Sequence, residues 1–230
     1  VKAAAVERDL LQRLQTEGKS SKYILRLFDS FMYRKHLCLV LESMHMNLRD
    51  VTKMYGKGKG ISLEGVRNYF RQLLHGLYHM KKKNVLHADI KPDNIVVSQD
   101  FMTAKLCDFG TGTGSPEENE ITPNLGSRFY RAPEIIMGLP YDYQIDVWSM
   151  GCCVVEMYTG KVCFPGWSNN DMLRLFMELK GPFPKKMRAQ GRFSDQHFSS
   201  DGAFLWVEKE STSSSASSST ALSLGINEVA

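Results

Sequence analysis

Residues 85–110 read VLHADIKPDNIVVSQDFMTAKLCDFG. Asp89, Lys91, Asn94 and Asp108 fall here on loops, beside short apolar runs at 95–97 and 104–107 that read as strands around a turn at Ser98–Asp100. Loops on a rigid scaffold are where catalytic groups concentrate. Carboxylate and amide oxygens suit a hard cation such as Mg²⁺, which keeps waters and takes substrate phosphates as ligands. Taken singly, each of these residues is an ordinary turn former. Taken as a set, two carboxylates, an amide and an amine at this spacing point to chemistry.

The pattern on either side places that stretch in a fold. Residues 3–14 carry Val6, Leu10, Leu11 and Leu14 on one face of an amphipathic helix. Residues 23–31 and 36–42 read as two strands of a hairpin, with Met32–Lys35 between them. Gly56, Gly58 and Gly60 punctuate a loop. A helix starts after Ser62, with Val66, Phe70, Leu73, Leu74 and Leu77 inward, and ends near Lys81–Lys83, cations suited to a helix C-terminus. Residues 108–134 form a long irregular stretch, and such stretches in compact domains are usually functional. Helices follow at 144–159, apolar on nearly all sides, and at 169–180. After Gly181 the pattern weakens, and nine of the ten residues 211–220 are Ser or Thr, a composition that predicts disorder. The architecture predicted is α+β in two lobes of unequal size, joined near Glu42–Met46.

Composition narrows the classes. The 230 residues are 43% hydrophobic and 23% charged, which fits a folded protein. A net charge of +4 is too mild to imply nucleic acid. No apolar run of about 18 residues occurs, so no membrane span is expected. Cys38, Cys107, Cys152, Cys153 and Cys163 sit among apolar residues, are odd in number and form no C-x-x-C, which reads as free thiols. His75 and His79 stand one helical turn apart, but Gly76 occupies the place of a metalloprotease glutamate, so they read as solvated histidines. Lys81–Lys83 and Lys185–Lys186 read as solvated faces.

Three blocks together carry a resemblance. H-x-D-x-K-x-x-N stands at His87–Asn94, D-F-G at Asp108–Gly110 and A-P-E at Ala132–Glu134. Over about residues 1–200 the chain resembles a eukaryotic protein kinase. The resemblance implies ATP and Mg²⁺ as cofactors. It implies that Asp89 accepts the substrate hydroxyl proton, that Lys91 reaches the γ-phosphate, and that Asn94 and Asp108 hold the metal. It makes Glu7 the helix glutamate that pairs with an ATP-binding lysine. Leu41 would stand at the back of the adenine pocket, Glu42 to Met44 would form the hinge, and Val96 would pack from below. Phe109 would pack beneath the first helix, and Asp146 would be a buried aspartate holding the catalytic loop. Lys91 with Ser127 is the serine/threonine-kinase pattern.

The block SRFYRAPE, Ser127–Glu134, is similar to the group containing the cyclin-dependent, MAP and DYRK kinases, the CMGC group; residues 181–200 occupy the place of its insert. HADIKPDNI, ITPxLxSRFYRAPEIIMG and KGPFPKKM resemble the DYRK-related family of pre-mRNA-processing-factor-four splicing kinases, in which Ala replaces the usual Arg at position 88. That implies a nuclear enzyme acting on splicing factors, monomeric, with no membrane and no direct nucleic-acid contact. Asn124 stands at the family's activation-loop tyrosine. Thr122 is then a candidate phosphoacceptor, Arg128 and Arg131 candidate anion partners, and the loop is expected to hold without obligatory phosphorylation. Residues 1–44 would be a partial small lobe, 45–205 a partial large lobe with the insert, and 206–230 a Ser/Thr-rich tail. Neither a Gly-rich loop nor a strand lysine occurs, and Lys2 lies on the Glu7 helix. The expectation is a bilobal kinase fold truncated at both ends and inactive as this fragment. The alternative is a catalytically incomplete, kinase-like scaffold.

Overall fold

The computed structural model describes residues 2–16, 21–114, 121–208 and 222–223. The Ser/Thr-rich stretch 211–220 lies outside the described residues. The first helix, α1, spans Lys2–Gln15 and buries Leu10, Leu11 and Leu14. Val6, one turn nearer its N-terminus, is 38% exposed rather than inward.

Helix α1 packs on an antiparallel hairpin of β1 (Leu27–Tyr33) and β2 (His36–Leu41). The strands run closer to the turn than the sequence pattern suggests, because Tyr33 pairs with His36 across two residues only. Arg34 and Lys35 both have positive φ, 44° and 66°, the turn whose twist matches that of the flanking strands. A three-stranded sheet follows in the order β3 (Met46–Asn47), β4 (Ile95–Val97), β5 (Ala104–Leu106).

The larger portion is helical, so the architecture is α+β, as the sequence pattern predicts. Helix α2 (Leu48–Gly56), which the sequence pattern does not predict, runs into the expected glycine loop, so that Gly56 is helical and only Gly58 and Gly60 lie beyond it. Its start is nonetheless chemically marked, since Asn47 Oδ1 accepts the Asp50 N–H at 2.8 Å. Helix α3 (Leu63–Lys82) is capped by Ser62, whose Oγ accepts the Gly65 N–H at 3.2 Å. It buries Val66, Tyr69, Leu73, Leu77 and Met80, while Leu74 is 37% exposed. The inner face is therefore turned toward Tyr69, whose hydroxyl donates to the Phe101 carbonyl at 2.7 Å.

Helices α4 (Pro133–Met137), α5 (Gln144–Thr159), α6 (Asn169–Lys180) and α7 (Lys185–Gln190) complete the body. The short strand β6 (Leu205–Trp206) pairs with β7 (Leu222–Ser223). Helix α5 is less enclosed than its composition suggests. Met150, Cys152, Cys153 and Met157 are buried, but Val147 is 47% exposed. All five cysteines are free. His79 Nε2 lies 2.9 Å from the Leu14 carbonyl, and the His75 ring stacks on Tyr23. No helix among the described residues is long and apolar enough to cross a membrane.

Two outcomes follow from this packing. Leu73→Ala removes a side chain with no exposure and should cost about 2–5 kcal/mol, read as a fall in urea midpoint. Leu74→Ala should change stability by less than about 0.5 kcal/mol, and equal effects at the two sites would contradict the burial. Glu134, in the first turn of α4, has a buried Oε2 with no hydrogen-bond partner among the described residues. Burial, with Asp142 adding repulsion, pushes its carboxyl above 4.5, while its own backbone N–H pulls the other way. A raised folded-state value means that its stability contribution is full below the unfolded value and is lost as pH rises through the folded one. The stability of Glu134→Gln relative to the parent chain should therefore grow as pH rises from 4 to 7.5. A difference independent of pH would contradict it.

Candidate active site

The loop from His87 to Asn94 is fixed from beneath by one carboxylate. Asp146, in the first turn of α5 and 3% exposed, accepts the His87 N–H on Oδ2 at 2.8 Å and the Ala88 N–H on Oδ1 at 2.9 Å. Burial pushes its carboxyl pKa upward, and the His87 charge and these two N–H groups oppose that rise. Ala88 is held at φ 65°, a left-handed conformation that costs a residue with a Cβ roughly 1–2 kcal/mol. Gly126 closes over this turn: a Cβ on it would lie 2.4 Å from the Ala88 carbonyl oxygen, and its own φ is 71°. Glycine is thus required there on two counts.

Asp89 emerges from that turn with both carboxylate oxygens occupied by donors. Lys91 Nζ donates to Oδ2 at 2.7 Å, and the Ser127 N–H donates to Oδ1 at 2.9 Å. Lys91 Nζ also reaches Ser127 Oγ at 3.0 Å. The turn Pro92–Asn94 brings Asn94 back, so that its Nδ2 donates to the Asp89 carbonyl at 2.9 Å and to Oδ2 at 3.3 Å. Three residues, Lys91, Asn94 and Ser127, thereby converge on one carboxylate.

Asp108 is tied to the same loop through the backbone. The Cys107 N–H donates to the Asn94 carbonyl at 3.0 Å. Asp108 itself is exposed, with φ 63°, and its carboxylate makes no hydrogen bond among the described residues. Phe109 has no exposure, and its ring lies 4.9 Å from that of His87. Its N–H donates to Glu7 Oε1 at 3.3 Å, which links α1 to this loop. Burial raises the Glu7 carboxyl pKa, the Phe109 N–H opposes this, and Asp108 adds to it. The Cys107 thiol is pushed up to about 12, first by burial and then by Asp108 and Glu7, so it is held unreactive.

The donor set fits Mg²⁺. With its Nδ2 spent on Asp89, Asn94 has an amide oxygen that accepts no hydrogen bond among the described residues; the Asp108 carboxylate is equally uncommitted. No group of three or more His, Cys, Asp or Glu among the described residues could hold a metal unaided. Two hard oxygens alone suit an ion that completes its shell with water and phosphate.

On the hairpin side, Leu41 ends β2, and Val96 lies in the middle of β4. The Glu42 side chain is engaged elsewhere: Lys105 Nζ donates to both its oxygens at 2.6 and 2.7 Å. The backbone groups of Ser43 and Met44 make no hydrogen bond among the described residues, whereas the His45 N–H is bound to the Val97 carbonyl at 2.9 Å. The main-chain groups of Ser43 and Met44, and the Glu42 carbonyl, are therefore free among the described residues to meet a planar base here, while the Glu42 N–H is bound to the Arg26 carbonyl at 2.8 Å.

The segment after residue 121 is held chiefly by Arg131. Its Nη1 donates to Asn169 Oδ1 at 2.6 Å, Nη2 to the Gly126 carbonyl at 2.7 Å, and Nε to the Leu125 carbonyl at 3.1 Å; Asn124 accepts longer bonds. Burial and the neighbouring Arg128 pull its guanidinium pKa down to about 10. Arg131 is therefore bound to neutral acceptors, while Arg128 is exposed and donates to the Trp167 carbonyl at 2.7 Å. Thr122 Oγ1 accepts the Asn124 N–H at 3.4 Å. Sequence reasoning missed Lys105, Asn169 and Gly126. Only Gly126, a glycine just before SRFYRAPE, carried a visible signal.

Comparison with known proteins agrees with this geometry. A family model described as the protein kinase domain matches residues 2–219. The serine/threonine-protein kinase prpf4B of Dictyostelium discoideum is 50% identical over 205 residues, covering 88% of this chain and 25% of that protein. The serine/threonine-protein kinase prp4 of Schizosaccharomyces pombe is 45% identical over 205 residues, covering 89% of this chain and 43% of that protein. A probable serine/threonine-protein kinase dyrk2 of Dictyostelium discoideum is 37% identical over 211 residues, covering 91% of this chain and 23% of that protein. The chain thus spans 23–43% of the length of these curated relatives. It belongs to the protein kinase family, as a DYRK-related member similar to the prp4-type kinases.

Proposed function

We propose that the protein of which this chain forms the catalytic portion transfers the γ-phosphoryl group of ATP to serine or threonine hydroxyls of proteins. The observation that carries this is the convergence of Lys91, Asn94 and the Ser127 N–H on the carboxylate of Asp89. A kinase-like module that only docked partners would have no use for this set.

In this reading the acceptor hydroxyl approaches Asp89, which takes its proton as the oxygen attacks. Lys91 holds the carboxylate in place and puts a positive charge where charge builds on the transferring group. Asn94 and Asp108 would hold Mg²⁺, which when bound would neutralise phosphate charge. Leu41 and Val96 contact the base of ATP, and the main chain of Glu42 to Met44 offers it hydrogen bonds. Glu7 stands ready to pair with a cation on the phosphate side. Asp146 is a positioning residue. Residues 1–44 act as part of the small lobe and 45–205 as part of the large lobe. The resemblance to pre-mRNA-processing-factor-four kinases supports splicing proteins as substrates and a nuclear site of action.

The activation segment needs no phosphate to hold its shape. With Ala at 88 the catalytic loop carries no arginine at that position to neutralise, its one cation, Lys91, is already paired with Asp89, and Arg131 is already satisfied by carbonyl and amide oxygens. Ser127, Arg128 and Glu134 then serve as structural parts of the segment, and Thr122 as an optional phosphoacceptor.

Two measurements on the full-length protein check this reading. Asp89→Asn should lower kcat by about 10²–10⁴-fold, and Asp108→Asn should lose phosphoryl transfer; unchanged turnover in either would sink the assignment. Phosphatase treatment verified by mass spectrometry should leave most of the activity. Its complete loss on removing phosphate from this segment would refute the account of the loop.

A further inference from the structure

Beside the Asp89 carboxylate lies an open groove of about 550 Å³. Its lining includes Arg49, Lys91, Asp93, Ser127, Arg128 and Tyr130. A peptide whose hydroxyl reaches Asp89 has flanking residues that run past these side chains, so their charges bear on which peptides fit.

Asp93 is the one carboxylate among the residues lining this groove. It is 41% exposed, yet it is already taken. Arg49 grips it with two parallel bonds, Nε to Oδ1 and Nη2 to Oδ2, each 2.8 Å. This fork-on-fork pairing is the strongest geometry available to a guanidinium and a carboxylate. The same guanidinium donates to the Tyr130 hydroxyl at 2.9 Å and to Glu156 Oε1 at 2.9 Å, and Tyr130 in turn donates to Glu156 Oε2 at 2.5 Å. The arginine is therefore locked from the protein side, and Asp93 is held below the usual carboxylate range.

The other cations divide clearly. Lys91 is paired with Asp89. Arg128 has no carboxylate partner among the described residues and contacts only the Trp167 carbonyl. The groove thus has its acidic seat filled by the chain's own arginine and keeps one uncompensated cation.

We propose that Arg49 is a specificity-determining residue that occupies, from within the chain, the Asp93 seat a basic side chain of a substrate would otherwise fill. The groove then selects against lysine and arginine flanking the acceptor. It favours neutral or acidic flanks, phosphorylated ones included, which Arg128 can meet. This rests on the phosphoryl-transfer reading, since it takes the groove to be where the peptide lies. It also adds to that reading by naming the class of peptide.

The test uses full-length protein and peptides with one serine in a neutral background, carrying Arg, Ala or Glu in turn at each of the four positions before it. The parent protein, needing no variant, should use the Arg peptides less well than the Ala or Glu peptides. Arg49→Gln should raise the Arg-to-Ala ratio of kcat/KM by about tenfold at one of these positions, and adding Asp93→Asn should abolish that gain. If Arg49→Gln fails to fold with the Glu156 charge left without a cation, the pair Arg49→Gln, Glu156→Gln removes both charges and reads the same ratio. The same peptides with serine replaced by alanine, followed by fluorescence anisotropy, report the ratio without turnover. A shifted binding ratio with no phosphoryl transfer to any peptide would leave the seat in place and remove the catalytic reading. A parent protein that prefers Arg peptides, or a folded Arg49→Gln variant with an unchanged ratio, would overturn the proposal.

Discussion

The buried carboxylate of Asp146 is the constraint on which the rest of the site depends. It has little water and no cation bonded to it, so its charge is carried by two backbone N–H groups, those of His87 and Ala88. That arrangement fixes a left-handed turn at Ala88 which the chain would not choose unaided. From the turn, Asp89 is aimed at one side and His87 is driven into the core against Phe109. Phe109 then places its N–H on Glu7, so the position of α1 is read out at the same loop. A single side chain on α5 thus governs both the aim of Asp89 and the seating of the first helix.

The second theme is how little of this order comes from opposed charges. The segment over the catalytic loop is held by Arg131 on carbonyl and amide oxygens, and by Gly126 lying flat against the Ala88 carbonyl. Neutral dipoles satisfy a buried guanidinium without a phosphate or a carboxylate. Such contacts are screened by salt far less than exposed ion pairs are. Charge is instead concentrated in the Arg49, Asp93, Glu156 and Tyr130 group beside the groove, where it shapes what a substrate meets.

Much of this was legible in the sequence, for definite reasons. The motif residues Asp89, Lys91, Asn94 and Asp108 are close in the chain, and local turns bring three of them together. The helices α3, α5 and α6 have caps or periodicity strong enough to place them within a residue or two. Helix α2 was hidden because Gly56 at its end, and Gly58 and Gly60 just after it, dominate the reading, although Asn47 marks its start. Strand β3 is two residues long and exists only by pairing with β4, so no periodicity could reveal it. Leu74 fits the apolar stripe of α3, but Tyr69 and Met80 take the inward face. The Arg49 network was invisible for a plainer reason: its partners stand 44 and 107 residues away along the chain. Contacts of that kind are set by the fold, not by any local pattern.

The most direct test of the central claim is the turnover of full-length Asp146→Asn. An amide is nearly isosteric but offers one acceptor oxygen in place of two, so one of the two N–H groups at Ala88 and His87 loses its partner. The account predicts a protein that still melts cooperatively but whose kcat falls by about 100-fold, because Asp89 is no longer aimed. A folded Asp146→Asn protein with unchanged kcat would contradict it.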